Sequence, residues 1–128
     1  MLEVMDSIDD KDFQDLVDRA FDSLPPTHRD AVKNVAIVIA DEPTEEQRIE
    51  LALHCNQTLL GLYTGVPLPQ RQGRMDLPPD VITIFKLPLL AMSANEKQLY
   101  EEVRHTLWHE VAHYFGLNHD RIHELEQA

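Results

Sequence analysis

At 128 residues with 43% hydrophobic content, the chain is sized for one domain, residues 1–128, whose single core needs no staples. Its 23 acidic against 11 basic residues give a formal net charge of -12, which repels polyanions, and no basic stripe interleaves with aromatics, so nucleic acid is not the expected partner. The one cysteine, Cys55, rules out an intramolecular disulfide and a cysteine-rich zinc module.

Residues Met1 to Asp12 are acidic, where a signal peptide needs a basic region followed by an apolar run, and no stretch reaches the length of a membrane span. The expectation is a cytoplasmic protein with no membrane partner. The excess charge reads as a solubility device, with a preference for basic substrates as the alternative.

From Asp10 to Leu24 the apolar residues Phe13, Leu16, Val17, Ala20, Phe21 and Leu24 recur at helical spacing, and Asp12, Asp15, Asp18 and Asp22 fill a solvated face. Pro25 and Pro26 end this helix, and Thr27 to Lys33 allows one further turn. Val35 to Ile39 is an unbroken apolar run that suits a strand buried on both faces. Thr44 with Gln47 forms a capping box for a helix running toward Cys55. His54 and Cys55 are adjacent on it and point in different directions, so packing suits them better than ligation.

Leu59 to Val66 reads as a short strand whose Gly61 and Gly65 suit an edge approached by another backbone. Pro67 to Pro79 is a polar, proline-rich loop, and its Arg71 and Arg74 either receive a substrate carboxylate or stay solvated. Val81 to Phe85 is the second strong strand, ended by Pro88. Ser93 and Glu96 then form a capping box for the last long helix, which runs to about Phe115. Val103, Leu107, Trp108, Val111, Tyr114 and Phe115 lie on its core side.

The end of that helix carries the sequence HEVAHYFGLNHD from His109 to Asp120. At about 100° per residue, His109 and His113 fall roughly 40° apart on one face, so both imidazoles can reach one ion. Glu110 lies beside them, placed to take a proton from an attacking water. A continuous helix would carry His119 about 9 Å past His113 and out of reach, so the chain must turn back. Gly116 is where it can, because glycine enters the left-handed conformation without steric cost.

This HExxHxxGxxHD pattern resembles the zinc-binding signature of metzincin metallopeptidases, and the segments 34–43, 60–68 and 77–90 resemble the small bacterial zincin-like metallopeptidases. No methionine follows His119, a departure from the metzincin pattern. The resemblance implies Zn²⁺ held by His109, His113 and His119, with Glu110 as the catalytic base and a peptide or protein as substrate. It also implies that an extended substrate binds along an edge strand, for which Leu59 to Val66 is the candidate. The fold expected is α+β: a reduced zincin-like architecture with a small mixed sheet, an active-site helix and a short C-terminal segment returning His119.

Some assignments stay open. Tyr63 and His105 are candidates for stabilising an oxyanion, and His105 and His123 stand either near the site or in solvent. Asp120 suits a helix cap or a loop contact. Two other functions share the motif: a metal-dependent endoribonuclease with three histidines at this spacing, opposed by Glu110 and the acidic charge, and a non-catalytic metal-stabilised interaction module.

Overall fold

The computed structural model describes residues 8–30, 32, 35–52, 60–66, 68–70 and 79–117. Among these residues the chain folds as α+β, with five helices and a three-stranded mixed sheet.

Helix α1, Asp10–Asp22, buries Phe13, Leu16, Val17 and Ala20 completely and leaves the four aspartates of its other face exposed. Asp10 and Asp12 occupy its first turn and Arg19 its last, each sign matched to the helix dipole. Pro26 does more than stop α1. It starts a single turn, α2, Pro26–Arg29, at the helix position where the missing proline N–H has no partner to lose.

The sheet order is β1-β3-β2. Strand β1, Val35–Ala40, runs parallel to β3, Asp80–Phe85, while β2, Gly61–Thr64, runs antiparallel to β3. The expectation that β1 is buried on both faces is corrected. Val35, Ile37 and Ile39 pack against the core, but Ala36 is exposed and Val38 is 41% exposed. The central strand is β3, with Asp80, Ile82, Ile84 and Phe85 buried. An apolar run shows that a strand has something to pack against, and it does not show how many strand neighbours it has.

The Thr44–Gln47 capping box is present: the Gln47 N–H donates to Thr44 Oγ1 at 3.1 Å and the Thr44 N–H donates to Gln47 Oε1 at 2.8 Å. It starts helix α3, Glu45–Ala52. Pro88 does not end β3 at a loop. Helix α4, Lys86–Ala91, follows the strand directly and takes Pro88 in its first turn, where proline is tolerated.

The long helix α5, Glu96–Tyr114, is capped by Asn95, two residues beyond the expected cap Ser93. Asn95 Oδ1 accepts from the Gln98 N–H at 2.9 Å, and Gln98 Oε1 accepts from the Ala94 N–H at 2.8 Å. The expected pair, Ser93 and Glu96, and the observed pair, Asn95 and Gln98, have the same i, i+3 spacing. Ser93 serves α4 instead: its buried hydroxyl donates to the Leu89 carbonyl at 2.8 Å. Leu99, Val103, Leu107 and Val111 are fully buried in one cluster with α1, Ile82 and Ile84, which fixes the rotation of α5 about its axis. Among the described residues no helix is long and apolar enough to cross a membrane.

Strand β2 lies directly on α5 through a residue with no side chain. A Cβ at Gly61 would stand 2.6 Å from Thr106 Cγ2, 3.3 Å from the Thr83 carbonyl oxygen and 3.4 Å from Glu110 Cγ. Thr106 cannot swing aside, because its hydroxyl is bonded to the Glu102 carbonyl at 2.8 Å. Gly61→Ala should therefore destabilise the protein by about 1–3 kcal/mol in urea unfolding. The penalty should shrink in a Thr106→Ser background, which removes Cγ2 and keeps the hydroxyl. An equal penalty in both backgrounds would show that this contact is not the tight one.

Candidate metal centre

The last two turns of α5 bring together His109, Glu110 and His113, whose candidate ligand atoms all lie within 4.8 Å of one another. The two imidazoles meet edge to face, with ring centroids 5.0 Å apart. Both are half-buried, whereas Glu110 is 7% exposed. The helical spacing read from the sequence thus holds in three dimensions, and the buried member of the trio is the carboxylate.

Burial decides the chemistry of Glu110. Loss of hydration pushes its carboxyl up from the ordinary value of 4.5 to about 7, and a hydrogen bond from the Tyr63 backbone N–H offsets only part of that rise. Such a group exchanges a proton near neutral pH. The two imidazoles beside it offer nitrogen donors of a kind suited to Zn²⁺.

Gly116 ends α5 as its residue type suggests. Its φ is +80°, its N–H donates to the His113 carbonyl at 2.9 Å, and the Leu117 N–H donates to the Ala112 carbonyl at 3.1 Å. These two bonds are the Schellman pattern, which satisfies carbonyls of the final turn and turns the chain away from the helix axis. A Cβ at Gly116 would also stand 2.8 Å from Pro69 Cγ. Pro69 sits in a short 3-10 turn, Leu68–Gln70, so the beginning of the expected loop does reach the site end of the helix.

His119, Asp120 and His123 lie outside the described residues, as do His54, Cys55, Arg71 and Arg74. His105 is exposed one turn below His109 and is not part of the clustered trio. Tyr63, a candidate for oxyanion stabilisation, donates its hydroxyl to Asp80 Oδ2. A phenol has one proton to give, and this one is committed to a carboxylate.

Three contributors were not visible in the sequence reading. Asp80 falls between the expected loop and the expected strand and has no role in either, yet only 1% of its surface is exposed. Thr106 lies under β2, where nothing in its local pattern distinguishes it from any helix position. His28 of α2 packs 5.0 Å from the Trp108 ring and 5.9 Å from Phe115, flanking the ligand-bearing turns. The only signal for the first was the spacing of glycines and Tyr63 in β2, which marked a close approach without saying to what.

A helix ending in two imidazoles and a buried carboxylate, backed by a core and covered by strand β2, makes a candidate helix-borne metal site on an α+β scaffold. A family model described as zincin-like metallopeptidase matches residues 32–128, and the chain belongs to that family. Its fold is similar to that of a conserved hypothetical protein from Thermo thermophilus, with a TM-score of 0.51, 18% identity, and coverage of 83% of this chain and 92% of that one. None of the curated proteins matches the chain.

The sign of the Glu110 shift makes a prediction for the metal-free protein. Its folded value, about 7, lies above the ordinary 4.5, so the neutral form is favoured by folding. The associated stability is fully present below pH 4.5 and is lost as the pH rises through 7, amounting to about 3 kcal/mol at about 1.4 kcal/mol per pH unit. Urea unfolding of chelator-treated wild type and Glu110→Gln at pH 4.5 and 8 should show this loss in the wild type and not in the variant. Parallel pH profiles would show that Glu110 is better hydrated than its position indicates.

Proposed function

We propose that the chain is a zinc-dependent metallopeptidase that hydrolyses peptide bonds. The observation that carries the reading is the trio itself: two imidazoles positioned for one ion, with a carboxylate beside them that is buried and close to half-protonated at neutral pH when no metal is present. His109 and His113 would hold Zn²⁺, with His119 as the third ligand on the strength of the sequence pattern. When bound, zinc supplies Lewis acidity at the scissile carbonyl and lowers the pKa of water at the site.

The proton chemistry belongs to Glu110. It accepts a proton from the attacking water and hands it to the departing amine, a cycle that works best for a group whose pKa lies near the working pH. His109 and His113 keep their orientation because the opposite face of α5 is locked into the core by Val103, Leu107 and Val111. Strand β2, an edge of the sheet lying against Glu110, is the candidate for pairing with an extended peptide, whose backbone would provide affinity without regard to side-chain identity.

The rival reading, a metal-stabilised interaction module, accounts for the histidines and leaves the carboxylate unexplained. Burying Glu110 works against the fold at neutral pH, and a module that only needs an ion for rigidity gains nothing from that cost. The endoribonuclease reading meets the same carboxylate and a net charge of -12 that repels RNA.

The test is incubation of the zinc-loaded protein with a diverse peptide library, repeated with two variants. Glu110→Gln should retain zinc by elemental analysis and lose at least about 10²-fold in turnover, the scale of removing a general base. His113→Ala should lose the ion. Equal cleavage by wild type and Glu110→Gln would contradict the mechanism, and cleavage by neither would contradict the peptidase reading.

A further inference from the structure

Asp80 is the first residue of β3 and is almost wholly removed from solvent, at 1% exposure. The pairing of β2 with β3 stops one residue before it, at Thr64 opposite Val81. Where the ladder stops, the Asp80 carboxylate takes over. Oδ2 accepts from the Tyr63 hydroxyl, and Oδ1 lies 3.4 Å from the Val66 nitrogen. Between them Gly65 has a φ of +153°, and a Cβ there would overlap the carboxylate, so the chain closes around this side chain at a residue that only glycine suits.

Tyr63 connects that cluster to the metal centre. Its hydroxyl is held by Asp80, its ring lies edge-on to Tyr114 of α5 with centroids 6.4 Å apart, and its strand lies against Glu110, whose Cγ is 3.4 Å from where a Cβ of Gly61 would stand, with the Tyr63 backbone N–H as the amide that favours the carboxylate. The alternation of an antiparallel ladder explains how one residue can do this. The Phe85 N–H donates to the Leu60 carbonyl, so Leu60, Leu62 and Thr64 turn their backbone groups to β3, while Gly61 and Tyr63 turn theirs outward. The Tyr63 amide is therefore outside the ladder, in a four-residue edge strand that strand pairing alone would leave prone to fraying.

We propose that Asp80 is a positioning residue for the metal centre: by holding the Tyr63 hydroxyl and the turn through Val66, it fixes the backbone amide that orients the Glu110 carboxylate. Its consequence for catalysis rests on the peptidase reading above. Groups that orient a site from behind its reacting residues typically alter activity by about 10- to 100-fold, because small misplacements of a base weaken proton transfer steeply.

The experiment uses the zinc-loaded full chain, a peptide cleaved by the wild type, and the variants Tyr63→Phe, Asp80→Ala and Asp80→Asn. It reads kcat and KM separately, the zinc Kd, and hydrogen exchange at the Tyr63 amide. Tyr63→Phe and Asp80→Ala should each lower kcat about tenfold or more, with KM and the zinc Kd within about twofold of wild type. Exchange at the Tyr63 amide should accelerate by about tenfold or more while the buried amides of α5 stay protected. Asp80→Asn, which keeps one acceptor oxygen, should recover part of both effects. Wild-type kcat and Tyr63 exchange in Tyr63→Phe would overturn the proposal, and so would a loss of zinc affinity that matches the loss of kcat. If the wild type cleaves no peptide, the peptidase reading fails and the exchange measurement decides the positioning claim by itself. If Asp80→Ala does not fold, Tyr63→Phe, which deletes a single oxygen, carries the test.

Discussion

The carboxylate of Glu110 is buried where two distant parts of the chain meet, and most of the site's geometry follows from the contact that buries it. Strand β2 can approach α5 only because Gly61 has no Cβ to collide with Thr106. That approach covers Glu110, removes its hydration and presents the Tyr63 amide as a partial replacement for water. The resulting penalty of about 3 kcal/mol in the metal-free state is a large share of the roughly 5–15 kcal/mol by which proteins of this size are stable. Functional sites are where folds commonly tolerate such costs.

The rest of the fold serves to keep that contact in register. The cluster formed by Phe13, Leu16 and Val17 of α1 with Val103, Leu107 and Val111 sets the face that α5 turns to the core, and hence the face left for His109 and His113. Lys86 at the start of α4 reaches Asp10 at 2.7 Å, tying the end of the central strand to the beginning of α1. On the far side of the ligand-bearing turns, His28 closes against Trp108 and Phe115. The two histidines are thus flanked by an aromatic group on one side and by β2 on the other. The aspartate face of α1 remains in solvent, in keeping with a surface whose charge serves solubility.

What was legible in the sequence was local. The four-residue spacing of His109 and His113, the Thr44–Gln47 reciprocity and the breaking of α5 at Gly116 each depend on a few consecutive residues and on backbone geometry that is the same in every protein. The short strand around Gly61 was legible for a similar reason, since its glycines only make sense where another element comes close. Non-local facts were hidden. Whether Val35–Ala40 or Asp80–Phe85 lies at the centre of the sheet depends on strand neighbours far along the chain. Two overlapping cap patterns competed at the start of α5, where Asn95 is the cap and the Ser93 hydroxyl serves α4 instead. Asp80 carried no local mark of its burial at all, because its partners Tyr63 and Val66 lie 17 and 14 residues earlier in the chain.

In the function proposed for the trio at the end of α5, the two histidines bind zinc and the glutamate does not. Anomalous diffraction at the zinc edge, from crystals of the zinc-loaded protein, tests it directly. The expected result is one peak at about 2.0–2.1 Å from an imidazole nitrogen of both His109 and His113, with the Glu110 oxygens beyond bonding distance and still against the Tyr63 amide. A peak remote from these histidines, or one with Glu110 bonded to the ion, would contradict it.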